Sequence, residues 1–361
     1  MVATYRIASI PGDGIGVDVT AAARSVLDQA ADRYGFNLAW SEYDWGCHRY
    51  TATGQMMPDD GIEQLRAHDA VFLGAVGYPG VPDHVSLWGL LIPIRRSFDQ
   101  YVNLRPVQLL PGVSSPLAGR RPGDIDIVVV RENSEGEYSL IGGRHGEGGD
   151  ELAVQQSVFT RRGVERIARY AFELAGARRG AVCSATKSNG IVHTMPFWDE
   201  ILGGVAAEYP DIAFEQVHVD ALAARFVLAP QHLDVVVGSN LFGDILSDLA
   251  AAVAGSLGVA PSANIDPSRK HPSMFESVHG SAPDIAGRGV ANPVAQILAG
   301  AMMLEHLGEE RAAEGVRSAV GTVLGEGQYV TADLGGSATT DQCAEAVSGV
   351  LAGSARSPAP R

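Results

Sequence analysis

Arg6-Ile7-Ala8-Ser9-Ile10, followed by Pro11-Gly12-Asp13-Gly14-Ile15-Gly16 and a helical run over 17–34, decides the fold class. The first five residues read as a buried strand and the glycines as a strand-to-helix turn. Val19, Ala22, Ala23, Val26, Leu27 and Ala30 then recur on one face at helical spacing. The dinucleotide fingerprint requires G-x-G-x-x-G, whereas these glycines run G-x-G-x-G and Val17 takes the third slot, so the turn is not a Rossmann turn. Such a turn can aim N–H groups at an anion, although a tight bend is its commoner use.

Outward from this unit, strands are predicted over 70–75, 126–130, 180–184 and 234–238. Helices are predicted over 161–175, 195–208, 244–254 and 291–307. Strands alternating with amphipathic helices define an α/β architecture with a mostly parallel sheet. The Pro-, Gly- and Ser-rich stretch 109–122 is expected to be a crossing loop, 142–149 a hairpin tip or lid, and 353–361 a disordered tail.

Composition narrows the partners. The 361 residues are 46% hydrophobic, enough for one large or two medium domains. With 42 acidic against 27 basic residues the net charge is −15, and no Lys/Arg run reverses it locally, so neither nucleic acid nor an anionic membrane is an expected partner. No apolar run is long enough to span a bilayer, and the start Met1-Val2-Ala3-Thr4-Tyr5-Arg6 lacks the features of a signal peptide. Cys47, Cys183 and Cys343 are isolated thiols, which suits a reducing compartment. The expected location is therefore the cytoplasm. A small anion, if bound, needs positive charge gathered in one pocket.

Five segments carry chemistry. In Asn240-Leu241-Phe242-Gly243-Asp244-Ile245-Leu246-Ser247-Asp248, Asp244 and Asp248 stand at i and i+4, one helical turn apart. Their repulsion is answered either by a bridging cation, Mg2+ or Mn2+ for such hard oxygen donors, or by Asp244 serving as a helix N-cap. Lys187, in Cys183-Ser184-Ala185-Thr186-Lys187, follows a buried strand where open sheets place their sites, or is a solvated loop lysine. Arg95, Arg105 and Arg131 form a series suited to a dicarboxylate, because guanidinium grips carboxylate through paired hydrogen bonds. Surface salt bridging is the plainer expectation for Arg96. Last, the loop after Phe275-Glu276-Ser277-Val278 presents His279 and Asp284 among Gly, Pro and Ser, and is either a cofactor loop or a turn-rich connector.

Taken in order, these motifs resemble the β-decarboxylating dehydrogenases: isocitrate, 3-isopropylmalate, homoisocitrate and tartrate/D-malate dehydrogenases. The likeness runs from Ile10 to the C-terminal helices, and 240–259 resembles the family signature. It implies the family's two-domain isocitrate/isopropylmalate dehydrogenase-like fold, not a Rossmann fold. Residues 1–102 with 253–361 would form a cofactor-side domain, and 103–252 a central domain with the dimer interface. The resemblance also implies that Asp244 and Asp248 hold the metal with Asp220 from a partner subunit. Arg95, Arg105 and Arg131 would clamp substrate carboxylates, and Tyr138 and Lys187 would be the acid–base pair, with Lys187 reaching the neighbouring subunit's site. For the cofactor it implies NAD, bound by Gly74, Ala75, Glu276, His279, Gly280, Ser281, Ala282, Asp284, Ile285 and Asn292. Asp284 would accept from the ribose hydroxyls and repel a 2′-phosphate.

The substrate expectation rests on a departure within the family. Trp88, in Ser86-Leu87-Trp88-Gly89-Leu90-Leu91, stands where isopropylmalate enzymes carry glutamate. Together with Ala260-Pro261-Ser262-Ala263-Asn264-Ile265, it resembles the tartrate/D-malate branch. A bulky indole leaves room for hydrogen or hydroxyl at C3, unless Trp88 is merely packed between helix and loop. The resemblance thus implies a homodimeric enzyme converting D-malate to pyruvate and CO2, with tartrate also accepted. 3-Isopropylmalate, or a related alkylmalate admitted by Pro93, is the alternative substrate. A silent regulatory subunit is not expected, since Tyr138, Lys187, Asp220, Asp244 and Asp248 are all present.

Overall fold

A computed structural model describes residues 2–353; beyond Gly353, the tail expected to be disordered lies outside the described residues. The strands are β1 (Thr4–Gly12), β2 (Asn37–Glu42), β3 (Ala70–Ala75), β4 (Val102–Gln108), β5 (Asp126–Glu132), β6 (Gly142–His145), β7 (Leu152–Gln155), β8 (Ala181–Thr186), β9 (Ala213–His218), β10 (Val235–Gly238), β11 (Pro261–Ile265) and β12 (Ser273–Ser277). Ten of them make one sheet in the order β2-β1-β3-β12-β11-β4-β5-β10-β8-β9, while β6 and β7 pair as a separate hairpin. The outer pairs are parallel. Only the centre is antiparallel, where β11 runs against both β12 and β4, and β4 against β5. The expected α/β fold with a mostly parallel sheet is what forms.

Continuous apolar runs explain the predicted strands. β3 (AVFLGA) and β10 (VVVG) are buried along their whole length, as strands covered on both faces must be. β2, β4, β9, β11 and β12 were not anticipated. In β4 (VNLRPVQ) Pro106 argues against a central strand. The register removes the conflict: β11 pairs with β4 only as far as Leu104, so at Pro106 the strand has one neighbour.

The helix Ile15–Tyr34 begins directly at the glycine turn and stops at Gly35 in the left-handed conformation. It packs against Val294–His306 and Thr340–Leu351. The N–H groups of the turn are engaged internally: Asp13 N donates to Ala75 O and Ile15 N to Ser281 O, each at 2.7 Å. Gly14 has φ 58°, and a Cβ there would stand 2.0 Å from Ser281 O. The turn is thus a docking point for the 278–287 loop.

The second decisive helix, Asn240–Val253, starts four residues before the expected 244 because Ser239 is its N-cap, accepting from Phe242 N at 3.4 Å. Asp244 therefore lies in the second turn, and the capping alternative for it falls.

Candidate active site

Three features of the fold converge on one cavity: the antiparallel strands β4 and β5, the loop after β5, and the start of the helix Asn240–Val253. Arg105 projects from β4 and Arg131 from the end of β5. Gly243 lets the helix lie directly on Arg131, since a Cβ there would come within 2.6 Å of the arginine's own Cβ. Glu137 ties the loop to the helix start, accepting from Ser239 Oγ at 2.7 Å and Leu241 N at 3.0 Å. That anchorage positions Tyr138, the next residue. No sequence signal marked Glu137; its partners are a hundred residues away.

The contacts centre on Asp244. Arg131 Nη1 donates to Asp244 Oδ1, and Tyr138 Oη donates to Asp244 Oδ2 at 3.0 Å. Arg131 is fixed from its other side by Asn240 Oδ1, 3.0 Å from Nε and 2.7 Å from Nη2. Arg105 Nη1 lies 3.2 Å from Asp244 Oδ1 and 3.3 Å from Asp248 Oδ1, with Ser247 Oγ at 2.7 Å. The cavity beside these groups has a volume of about 170 Å³, and four arginines (95, 96, 105 and 131) face a single lining carboxylate, Asp244. In an acidic chain this is the local concentration of positive charge that a small dianion requires.

Electrostatics separates the two aspartates. Burial disfavours the Asp244 carboxylate, but Arg131 and Arg105 outweigh it and hold the pKa below the ordinary 3.8. Asp248 moves upward, raised by burial against the pull of Arg105, with Asp244 adding repulsion. Burial, then the Asp244 charge, pushes the Tyr138 phenol above 10.0, so it keeps its proton at neutral pH. Arg131 is lowered to about 10 by burial and by Arg105, and stays charged.

Arg95 is buried and paired with Glu276 Oε1 at 2.9 Å. Glu276 thus joins the arginine cavity to the strand that leads into the 278–287 loop. Arg96, expected to form a surface salt bridge, makes none among the described residues. It lines the cavity instead, donates to Tyr138 O at 2.8 Å and lies over the Trp88 ring at 5.0 Å. Trp88 does not line that cavity; Leu87 and Ile92 do. The indole borders an adjoining recess of about 250 Å³ that it shares with Tyr138 and the β6 hairpin.

Lys187 and Asp220 are held elsewhere, bonded to each other at 2.7 Å. Among the described residues of one chain, no three His, Cys, Asp or Glu side chains gather as a metal-binding group. One chain therefore brings together Asp244, Asp248, Tyr138 and the arginines, but not Lys187 or Asp220.

The 278–287 loop lies against the glycine turn. Gly74 and Ala75 end β3 there, with Ala75 O accepting from Asp13. Ala282 and Ile285 pack on Ile15, Val19 and Ala291. Burial lowers the His279 pKa, leaving a neutral ring whose buried Nε2 has no hydrogen-bond partner. Gly280 and Asp284 are exposed. Asn292 donates to Asp333 Oδ2 and accepts from Val294 N, both at 3.0 Å. Asp13 was not singled out in the sequence. Its buried carboxylate accepts from Cys47 N at 2.9 Å and Gly77 N at 3.0 Å, holding the segments around the turn.

This chain belongs to the isocitrate/isopropylmalate dehydrogenase family, whose model matches residues 6–350. It is 55% identical over 360 residues to a decarboxylating D-malate dehydrogenase of Escherichia coli (strain K12), covering 97% of this chain and 99% of that protein. It is 53% identical to a tartrate dehydrogenase/decarboxylase of Pseudomonas putida, covering 97% and 98%. Among solved structures, isocitrate dehydrogenase from Methylococcus capsulatus superposes with a TM-score of 0.87 at 38% identity, covering 96% of this chain and 99% of that one. The chain is an enzyme of the decarboxylating dehydrogenase type. No helix of the described residues is long and apolar enough to cross a membrane.

Proposed function

We propose that the enzyme oxidises D-malate to pyruvate and CO2 with NAD and a divalent cation, accepts tartrate as a further substrate, and works as a homodimer. The observation carrying this reading is Asp244, shared by Arg105, Arg131 and Tyr138 at the wall of a cavity lined by four arginines.

The residues fit a hard cation. Arg105 Nη1, itself cationic, already stands between an oxygen of Asp244 and one of Asp248, so the two carboxylates converge on one point. The partner subunit's Asp220 would complete the set. The orphaned His279 Nε2 and the exposed Asp284 likewise offer a neutral ring and a carboxylate to a ribose-bearing cofactor. When bound, the cation acidifies the 2-hydroxyl and stabilises enolate charge, and NAD accepts the hydride.

The chain's own groups do the rest. Arg95, Arg105 and Arg131 orient the substrate carboxylates. The partner subunit's Lys187 takes the hydroxyl proton, and Tyr138 Oη gives its proton to C3 once CO2 has left. Exposed apolar side chains support the dimer: Leu140, Leu152, Val192, Leu228 and Ile245 all lie in the central segment that carries Lys187 and Asp220. The sheet order supports a two-lobe division, because β1, β2, β3, β11 and β12 lie on one side of the β11–β4 boundary and 102–238 supplies the other.

The test is NADH formation at the nicotinamide absorbance with D-malate, tartrate and 3-isopropylmalate side by side, each with Mg2+ or Mn2+. D-malate is expected to give the highest kcat/KM. A clear preference for 3-isopropylmalate overturns the substrate.

A further inference from the structure

A larger cavity, of about 440 Å³, lies outside the arginine–aspartate site. Its walls come from three segments distant in sequence. Asp99 and Tyr101 precede β4, Arg162 and Arg166 begin the helix Arg161–Gly176, and Lys270 and His271 lie in the turn from β11 to β12.

Its carboxylates are already engaged. Asp99 pairs with Arg166 Nη1 at 2.8 Å. Asp266 accepts from Ser268 Oγ at 2.6 Å, Ser268 N at 2.9 Å, and Lys270 N and His271 N at 3.1 Å, so its charge is used within its own turn. Glu135, in the adjoining recess, accepts from Thr160 N and Oγ1, both at 2.9 Å.

The cations are not balanced in the same way. Arg162 and Lys270 line the cavity, and neither forms an ion pair or a side-chain hydrogen bond among the described residues. Arg166 is held rigidly, stacked 4.1 Å over the Tyr101 ring and donating to Ser134 Oγ at 2.7 Å, yet its Nε is buried without an acceptor. Arg162 and Lys270, both exposed, thus face one cavity together with the unfilled guanidinium donor of Arg166, in a chain of net charge −15. An anion placed there relieves the repulsion among them.

We propose that this cavity is a second ligand site, binding a phosphoryl group between Arg162 and Lys270. Phosphate is favoured over a single carboxylate because a dianion with several acceptor oxygens can engage cations from two of these segments at once. The site is separate from the reaction already assigned and does not depend on its substrate. It adjoins that centre, however: Ser134 Oγ, which receives Arg166, donates in turn to Glu132, the residue next to Arg131.

Calorimetric titration of inorganic phosphate into the whole protein tests this, using the wild type, the double variant Arg162→Ala/Lys270→Ala, and Arg105→Gln. The last variant weakens anion binding in the arginine cavity by removing one of its four guanidinium groups. Phosphate binding is expected to survive Arg105→Gln and to weaken at least about tenfold in the double variant, as loss of charge-assisted hydrogen bonds requires. Thermal midpoints show that each variant is folded. The proposal fails if wild-type protein binds no phosphate, if Arg105→Gln abolishes all binding, or if the double variant binds as the wild type does.

Discussion

Replacing Asp244 by Asn isolates the charge on which the cavity is organised. Arg131 and Arg105 have side chains only 5% and 9% exposed, and Asp244, at 31%, is the carboxylate they share. At the 3.2 Å separation of Arg105 and Asp244, an effective dielectric near 20 gives a Coulomb attraction of roughly 5 kcal/mol. Breaking a buried pair typically destabilises by about 3–5 kcal/mol. Asn240 and Ser247 keep one partner for each guanidinium, which places the expected loss near the lower limit, about 3 kcal/mol. Urea unfolding in the presence of a chelator reads it directly. The folded-state pKa of Asp244 is depressed, so the unfolded chain binds more protons in the acid range. The stability Asp244 contributes is therefore fully present above its unfolded value of 3.8 and is lost as pH falls through the lower folded value. The gap between wild type and variant should be constant above about pH 5 and should close on further acidification. A gap below about 1 kcal/mol at neutral pH, or one that widens in acid, would refute the claim that these arginines depend on this carboxylate.

Three further outcomes are expected. Lys187→Met and Tyr138→Phe should each reduce turnover by about 10²-fold or more while leaving NAD binding intact, and mixing the two inactive proteins under subunit exchange should restore activity. Restoration occurs only if Lys187 serves the partner's site, because a hybrid then contains one site with both defects and one with none; absence of rescue places Lys187 in its own chain's site. Gly14→Ala puts a side chain at φ 58° and against Ser281 O, and should lower stability by about 2 kcal/mol and raise the KM for NAD, measured by unfolding and initial rates. Asp284→Ala should weaken NAD and narrow its advantage over NADP, and an unchanged NADP/NAD ratio of kcat/KM would exclude Asp284 from cofactor choice.

What could be read from the sequence follows from how local each interaction is. β3 was legible to the residue because six consecutive buried positions leave a continuous apolar run. Asp244 and Asp248 were legible as a pair because helical spacing alone sets them on one face, although the cap at Ser239 was needed to locate the helix start. Arg96 was misjudged because its cavity-facing role depends on Tyr138 O and Trp88, neither of which periodicity can bring to it. At the antiparallel centre of the sheet, β4, β11 and β12 are hidden for a related reason: they carry buried amides and other polar side chains in place of a continuous apolar signature. Asn103 Nδ2 donates to Ser262 Oγ and Asn264 Oδ1, Asn133 Nδ2 donates to the same Asn264 oxygen, and Asn264 Nδ2 donates to Glu276 Oε1 at 2.6 Å. Glu276 in turn holds Arg95.

That chain of amides gives physical sense to polar residues at the middle of a large sheet. Asn103 Oδ1 and Asn133 Oδ1 are already buried without partners, and each further amide group orphaned by a shifted register would add a desolvation penalty of about 1–3 kcal/mol, which favours one register of β4, β11 and β12. Fixing that register aligns Arg105 on β4 with Glu276 on β12, and through Glu276 aligns Arg95 with the start of the 278–287 loop. The arginine cavity is built from residues 87–244 and the glycine-turn loop from 278–287, and the hydrogen bonds joining β4, β11 and β12 connect the two. A shared set of directional hydrogen bonds cannot slip by one residue without orphaning several groups at once. The polar centre that obscures these strands in the sequence is therefore what holds the two parts of the site in register.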